Sequence, residues 1–215
     1  MDGTAEGFEH GRSIDRLVAF SDGVFAIAMT LLVLNLRVPN LVGPEQSERL
    51  WAAFRDQIPE LLSYVLSFWV IGRYWMVHHR MFRVVRQADT RLLLLNLCLL
   101  GCIAVIPYPT EMLGRYGDTT TAVALYSATL TLTGFSFAAL SWHLDHSGLL
   151  DPRVTPAYRR HSWVRAITVP IVFAVSIPIA FVDPTLAMVS WGISAFALAF
   201  IGKRRYGSIA SPFSA

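Results

Sequence analysis

The chain has 215 residues, of which 54% are hydrophobic and 15% charged, and its mean hydropathy is +0.48. A soluble domain of this size carries more charge on its surface, so the composition excludes a water-soluble globular protein and places the chain in lipid. The sequence pI is near 9.1, but basic and aromatic residues do not interleave, so we expect no nucleic-acid partner.

Six apolar stretches follow one another along the chain, each about 20 residues long and therefore able to cross a hydrocarbon core of about 30 Å. They cover residues 17–36, 58–78, 92–112, 120–142, 163–182 and 184–202. The sequence predicts an all-α membrane protein in which residues 1–215 form one domain of six transmembrane helices. We expect the first span to be retained, because Asp22 interrupts its apolar run and no small-residue cleavage site follows it.

The first span contains a carboxylate and an aliphatic stripe. Asp22 is expensive in hydrocarbon, so it is expected to be functional or paired. On the same helix Ile27, Leu31 and Leu34 recur at intervals of three and four residues and share one face. Spacing alone indicates a packing or lipid-facing stripe.

The connection after the first span predicts a short interfacial helix. Pro39 and Pro44 break the first helix, and residues 47–57 place Leu50, Trp51 and Phe54 on one side with charged residues elsewhere. Such an amphipathic segment is typical of a helix lying in the membrane interface.

Basic and aromatic residues of the second span lie at the depth of Asp22. A carboxylate in low dielectric needs a cation or several hydrogen bonds, so we predict a polar lock that orients the first helix. A proton relay or ion site at Asp22 is the alternative. The predicted lock consists of Arg16, Phe20, Ser21, Asp22, Arg73, Trp75 and His78.

The third span carries a polar residue and two thiols. Asn96 is expected to form a hydrogen bond between helices. Cys98 and Cys102 are four residues apart, and no neighbouring ligand completes a metal site, so we interpret them as packing residues. Pro107 and Pro109 are expected to end this span.

Two features mark the later spans. His143, Asp145 and His146 have the spacing of possible metal ligands, but interfacial polar residues are the commoner explanation and we predict no metal or cofactor. Pro170 and Pro178 fall inside the fifth span, where kinks are expected rather than breaks. A tight hairpin at residues 182–184 leads into the sixth span.

The distribution of basic residues predicts the orientation, because short cytoplasmic loops are rich in Lys and Arg. Four of the 18 basic residues fall on the side opposite the N terminus, namely Arg37, Arg49, Arg55 and Arg115, and Arg73 lies inside a span. The other 13 share the side of the N terminus, so both termini are predicted to be cytoplasmic.

Two motifs resemble a known family. Arg16, Phe20, Ser21 and Asp22 spell R-x-x-x-F-S-D, followed by G-V-F-A-I-x-x-T-L-L-V-L, and residues 75–82 spell W-x-x-H-H-R-x-F. Both resemble the transmembrane protein 175 family of endolysosomal and prokaryotic potassium channels. The resemblance implies a multi-pass protein of the cell membrane that conducts potassium ions as a homotetramer.

The resemblance also implies which residues form the pore. The first helix of each subunit would line it, with Ile27, Leu31 and Leu34 as the constriction and Thr30 as a polar lining residue. A ring of branched aliphatics closes a narrow pore by dewetting it. The chain has no T-V-G-Y-G sequence, so no carbonyl-lined filter of that kind is expected.

Two other classes stay open at this point. A proton-coupled transporter would use Asp22 and the histidines of the second span, although no inverted repeat is visible. A membrane scaffold would carry no flux at all. An enzyme is not expected, because the sequence lacks nucleophile-elbow, zincin, P-loop and dinucleotide-binding motifs.

Overall fold

A computed structural model of the protein describes residues 3–40, 44 and 46–194. Residues 195–202 of the predicted sixth span lie outside the described residues. Residues 184–194 are helical to the last described residue. The named helices are α1 Gly3–Leu31, which ends in a 3-10 turn Leu32–Asn35, α2 Gln46–Asp56, α3 Ile58–Phe82, α4 Thr90–Val105, α5 Pro107–Tyr116, α6 Thr120–His146 and α7 Pro156–Val182.

Side-chain caps fix where three helices begin. Asp89 precedes α4 and accepts a hydrogen bond of 2.6 Å from the Leu92 amide, and Thr119 accepts one of 3.3 Å from Ala122 at the start of α6. Asp183 caps the helix over residues 184–194 in the same way. Each cap satisfies amide groups that have no partner within the helix.

The third predicted span continues past its prolines as a second helix instead of ending there. α4 ends at Val105, and Pro107 begins α5, which continues to Tyr116. Proline is tolerated in the first turn of a helix, where its missing N–H would have no helical partner. The Thr110 amide donates to the Ile106 carbonyl at 3.1 Å, so helical hydrogen bonding resumes in the first turn of α5.

Three stretches of the described chain are long and apolar enough to cross a membrane: Ile14–Asn35, Thr90–Tyr116 and Thr120–His146. Ala166–Val182 is a shorter apolar helix. α3 has 25 residues but includes Glu60, Arg73 and His78, which lower its hydropathy. The number of six spans therefore stays a prediction from the sequence.

The buried apolar side chains of the described helices form one hydrophobic core. α1 lies against α3 and α4, and α4 connects this group to α6, which packs along α7. The Trp191 ring lies 5.3 Å from the ring of Tyr126 on α6 and 5.7 Å from that of Phe173 on α7. The chain therefore reverses at Asp183, as the predicted tight hairpin requires.

Candidate functional site

α1 has one packed face and one open face. Phe25, Ala28 and Leu32 are at most 1% exposed and pack into the core. In contrast, the side chains of Ile27 and Leu34 are 60% and 71% exposed. This difference follows from helical geometry, because residues about 3.6 positions apart share a face.

The predicted constriction residues lie together on the open face. Leu31 is 41% exposed and sits between Ile27 and Leu34 along the helix. Thr30 is exposed as well, and its hydroxyl donates a hydrogen bond of 2.8 Å to the Ile27 carbonyl. The open face is therefore an aliphatic strip with one hydroxyl, available to lipid, to another subunit or to a pore.

Asp22 contacts α3 through an indole. The Nε1 atom of Trp75 donates a hydrogen bond of 2.8 Å to Asp22 Oδ1. Both side chains are partly exposed. Compensation of the Asp22 charge by Arg16 or Arg73 stays a prediction.

A second, buried connection holds α1 one residue earlier. Ser21 is fully buried, and its hydroxyl donates to the Leu17 carbonyl at 2.8 Å. Asn96 Nδ2 on α4 donates to Ser21 Oγ at 3.0 Å, and Asn96 Oδ1 is 2.9 Å from His78 Nε2 on α3. Three helices are thus linked by one chain of hydrogen bonds.

This chain of hydrogen bonds determines which ring nitrogen of His78 carries a proton. The amide nitrogen of Asn96 is used by Ser21, so its oxygen faces the imidazole and His78 Nε2 must donate. Within the described part of the molecule His78 Nδ1 is buried and has no hydrogen-bond partner. A second proton there would be unsatisfied, so His78 is the neutral Nε2–H tautomer.

Three other members of the predicted lock differ in exposure, and their part in it stays a prediction. Phe20 is 55% exposed and Arg16 is exposed, while Arg73 is half-buried on α3. Asn96, which the sequence assigned only to a contact between helices, connects Ser21 to His78. The signal for it was an amide side chain inside an apolar span.

The possible metal ligands at the end of α6 have three separate partners. His143 Nε2 lies 2.9 Å from Asp89 Oδ2, Asp145 pairs with Arg159 at 3.5 Å, and His146 bonds a carbonyl of its own helix. No group of three His, Cys, Asp or Glu side chains in the described residues could hold a metal ion. Partial burial raises the pKa of Asp89, but hydrogen bonds from Leu92 and His143 outweigh it and leave this pKa lowered.

An ion cluster joins the two loops at this end of the protein. Val85 and Leu150 form an antiparallel bridge, and Asp151 accepts hydrogen bonds from the guanidinium groups of Arg153 and Arg86. The hydrogen bonds from Arg153, followed by the one from Arg86, hold the pKa of Asp151 well below its usual range. The cluster therefore fastens the α3–α4 loop to the α6–α7 loop.

The sequence is similar to a known family model and to several named proteins. A family model described as "Endosomal/lysosomal potassium channel TMEM175" matches residues 16–107. A protein from Streptomyces collinus, named as a potassium channel, is 39% identical over 190 residues, which is 86% of this chain and 91% of that protein. A Gallus gallus protein named "Endosomal/lysosomal proton channel TMEM175" is 36% identical over 111 residues, covering 49% of this chain and 22% of the relative.

A solved structure has a similar fold. The crystal structure of a lysosomal potassium-selective channel TMEM175 homolog from Chamaesiphon minutus matches with a TM-score of 0.73 at 26% sequence identity. The match covers 88% of this chain and 97% of that one. The family resemblance seen in the two sequence motifs is therefore confirmed.

Proposed function

The chain belongs to the TMEM175 family, and we propose that it is one subunit of a homotetrameric, potassium-selective channel in the cell membrane. Six spans with both termini in the cytoplasm are part of this proposal. The uneven distribution of Lys and Arg supports that topology, since short cytoplasmic loops are enriched in basic residues.

The open face of α1 is the observation that carries the proposal. Ile27, Leu31 and Leu34 are exposed while the opposite face of the same helix is packed. One helix cannot enclose a water path, but four copies around a symmetry axis can. In that arrangement the three side chains would form successive aliphatic rings, which block ions by dewetting and conduct after a small dilation.

Thr30 is proposed to line the same path. Its hydroxyl hydrogen is engaged by the Ile27 carbonyl, so the oxygen lone pairs point away from that bond. Four such oxygens would offer polar contacts between rings of aliphatic side chains. This assignment of Thr30 rests on the family motif and on its exposure.

The polar contacts behind α1 are proposed to fix its rotation about its own axis. Ser21 is held by Asn96 and Asp22 by Trp75, so neighbouring residues are tied to α4 and α3. Successive residues of an α-helix are about 100° apart around the helix axis, so a rotation of that size would exchange the packed and open faces of α1. Loss of these ties would therefore misdirect the constriction residues.

A proton-coupled transporter is the alternative. The hydrogen-bonded chain from His78 passes through the amide of Asn96 and ends at the Leu17 carbonyl, which favours a structural lock over a relay. Several relatives, among them the one from Gallus gallus, are nevertheless named as proton channels. Proton flux is therefore measured together with potassium flux.

Flux through purified protein in proteoliposomes tests the proposal. We expect potassium flux down its own gradient, faster than sodium flux and independent of a proton gradient. Ile27→Ala and Leu31→Ala should each increase leak, and Ile27→Asn should loosen selectivity. Leu94→Ala, at a 59% exposed position of α4, is the matched control and should leave flux unchanged.

Three results would contradict the proposal or its pore assignment. Obligatory coupling to protons would support the transporter, and absence of any flux would support a scaffold. Unchanged conductance in both alanine variants at normal expression would remove Ile27 and Leu31 from the pore.

A further inference from the structure

A cavity of about 230 Å³ lies beside the residues that follow Leu34. Its walls come from the end of the 3-10 turn and the two residues after it, the residue before α3 and its first turn, and the last turn of α5. The lining residues are Asn35, Leu36, Arg37, Gln57, Glu60 and Arg115. The proposed topology places this cavity on the extracellular side.

The lining of the cavity includes one acid, Glu60, and two bases, Arg37 and Arg115. Arg115 has a partner, because its guanidinium lies 2.7 Å from Glu111. Among the ion pairs of the described residues, none includes Arg37 or Glu60. Moreover, the Oε2 atom of Glu60 is buried and has no hydrogen-bond partner in the described chain. A buried carboxylate oxygen in this state requires a donor.

Two amide side chains of the cavity wall form hydrogen bonds to backbone carbonyls. Asn35 Nδ2 donates to the Pro107 carbonyl at 3.1 Å, and Gln57 Nε2 donates to the Arg37 carbonyl at 2.5 Å. One N–H of each amide is therefore used, and the amide oxygens can still accept hydrogen bonds. These oxygens and Glu60 favour a donor-rich cationic group, and Arg37 favours an anionic one.

We propose that this cavity binds a small zwitterion that carries an ammonium and a carboxylate group. The ammonium would be placed against Glu60 and the amide oxygens, and the carboxylate against Arg37. The positive charge of Arg37 would repel a simple cation, and the negative charge of Glu60 would repel a simple anion. The volume is small, so a compact amino acid suits the cavity better than a drug-sized ligand.

Binding would act on the channel through the wall of the cavity. Residues 35–37 directly follow Leu34, which is one of the proposed constriction residues. A ligand that joins Arg37 to Glu60 would therefore tie the end of α1 to α3. This effect on conduction rests on the proposed function, whereas binding itself does not.

Thermal unfolding of the purified protein in detergent tests the binding site. Glycine is compared with methylamine and with acetate at equal concentration and ionic strength. Glycine should raise the melting temperature in a concentration-dependent way, because a ligand that binds only the folded state stabilises it. Each single-charge compound should have little effect.

Two variants test whether Arg37 and Glu60 bind the charged groups of glycine. Arg37→Gln and Glu60→Gln should each weaken the apparent affinity for glycine by about tenfold, as expected for loss of one charge-assisted hydrogen bond. Arg55→Gln, an exposed residue of α2 that does not line the cavity, is the control and should bind as the unmodified protein does.

The binding experiment and the flux assay can fail independently of each other. No shift with glycine, an equal shift with methylamine or acetate, or unchanged affinity in both cavity variants would overturn the site. A protein that binds glycine but carries no ion flux would contradict the channel and leave the zwitterion site standing.

Discussion

Trp75 Nε1 and Asp22 Oδ1 are 2.8 Å apart, and this hydrogen bond ties α3 to the carboxylate of α1. The neighbouring residue, Ser21, is tied to α4 through Asn96 at 3.0 Å. Two successive residues of α1 are therefore held by two different helices. Such a pair of contacts restricts rotation of α1 more than either contact alone.

Replacement of the indole tests the first contact. Trp75→Phe keeps an aromatic ring but removes the donor, so we expect a loss of about 1–2 kcal/mol, the low end for a charge-assisted bond because both side chains are partly exposed. Thermal unfolding in detergent measures the loss. Trp142→Phe on α6 is the control and should be nearly neutral.

The stability of Asp22→Asn tests whether the negative charge of Asp22 is needed. An amide oxygen still accepts from Trp75, so pairing with the indole alone predicts a smaller loss than that of Trp75→Phe. If Arg16 or Arg73 also depends on Asp22, the loss should be larger, up to about 3–5 kcal/mol for a fully buried pair. Equal stability of both variants and the unmodified protein would show that this contact does not support α1.

The buried chain of hydrogen bonds is tested by a double-mutant cycle. Asn96→Leu leaves a buried donor of His78 unsatisfied, so a loss of about 1–3 kcal/mol is expected. Ser21→Ala should cost a similar amount, since it leaves the Asn96 amide unpaired. Because the two residues share one hydrogen bond, the double variant should lose less than the sum. Strict additivity would show that the two side chains do not interact.

Packing of α6 on α7 depends on a glycine. A Cβ atom on Gly134 would lie 2.7 Å from Pro170 Cβ and 2.9 Å from its Cδ, both atoms of a rigid ring. Gly134→Ala should therefore destabilise the protein by about 1–3 kcal/mol. Gly101→Ala on α4 is the matched control, since beyond the neighbouring residues and backbone of its own helix no described atom lies within 4 Å of the added carbon. That variant should be neutral or up to about 1 kcal/mol more stable.

Acid should weaken the loop cluster. Arg153 and Arg86 hold the pKa of Asp151 below the ordinary aspartate value of about 3.9. The stabilisation is thus fully present above about pH 4 and declines as the pH falls toward the pKa of the folded state. Asp151→Asn should lower the melting temperature at pH 7, and the difference should narrow below about pH 4. A constant difference, or an equal effect of Asp118→Asn at an exposed position, would contradict this role.

Helix positions could be predicted from the sequence more completely than helix ends. Apolar runs predicted helices at 58–78 and 120–142, and the structure extends them to Phe82 and His146. α7 begins at Pro156 rather than at 163, because its first two turns are polar and give no hydropathy signal. Composition likewise does not distinguish a proline that ends a helix from Pro107, which begins one.

The partners of polar side chains could be predicted only in outline. A carboxylate at Asp22 and an amide at Asn96 indicated pairing, because each is costly in hydrocarbon. The link from Ser21 to Asn96 joins residues 75 positions apart, and spacing along the chain does not determine such a contact. The aliphatic stripe of α1 has the same pattern whether it faces lipid, protein or a pore. Its exposure depends on how the helices pack and could not be predicted from spacing.

Cysteine accessibility at Leu34 tests the central claim, that the open face of α1 lines a water-filled path. In a background with Cys98→Ala and Cys102→Ala, Leu34→Cys is compared with Leu94→Cys on α4, since the two side chains are 71% and 59% exposed. The measurement is potassium flux in proteoliposomes before and after a water-soluble methanethiosulfonate reagent. We predict that the reagent blocks flux through Leu34→Cys and leaves Leu94→Cys unchanged. Block of Leu94→Cys with no effect on Leu34→Cys would show that α1 faces lipid and does not line the pore.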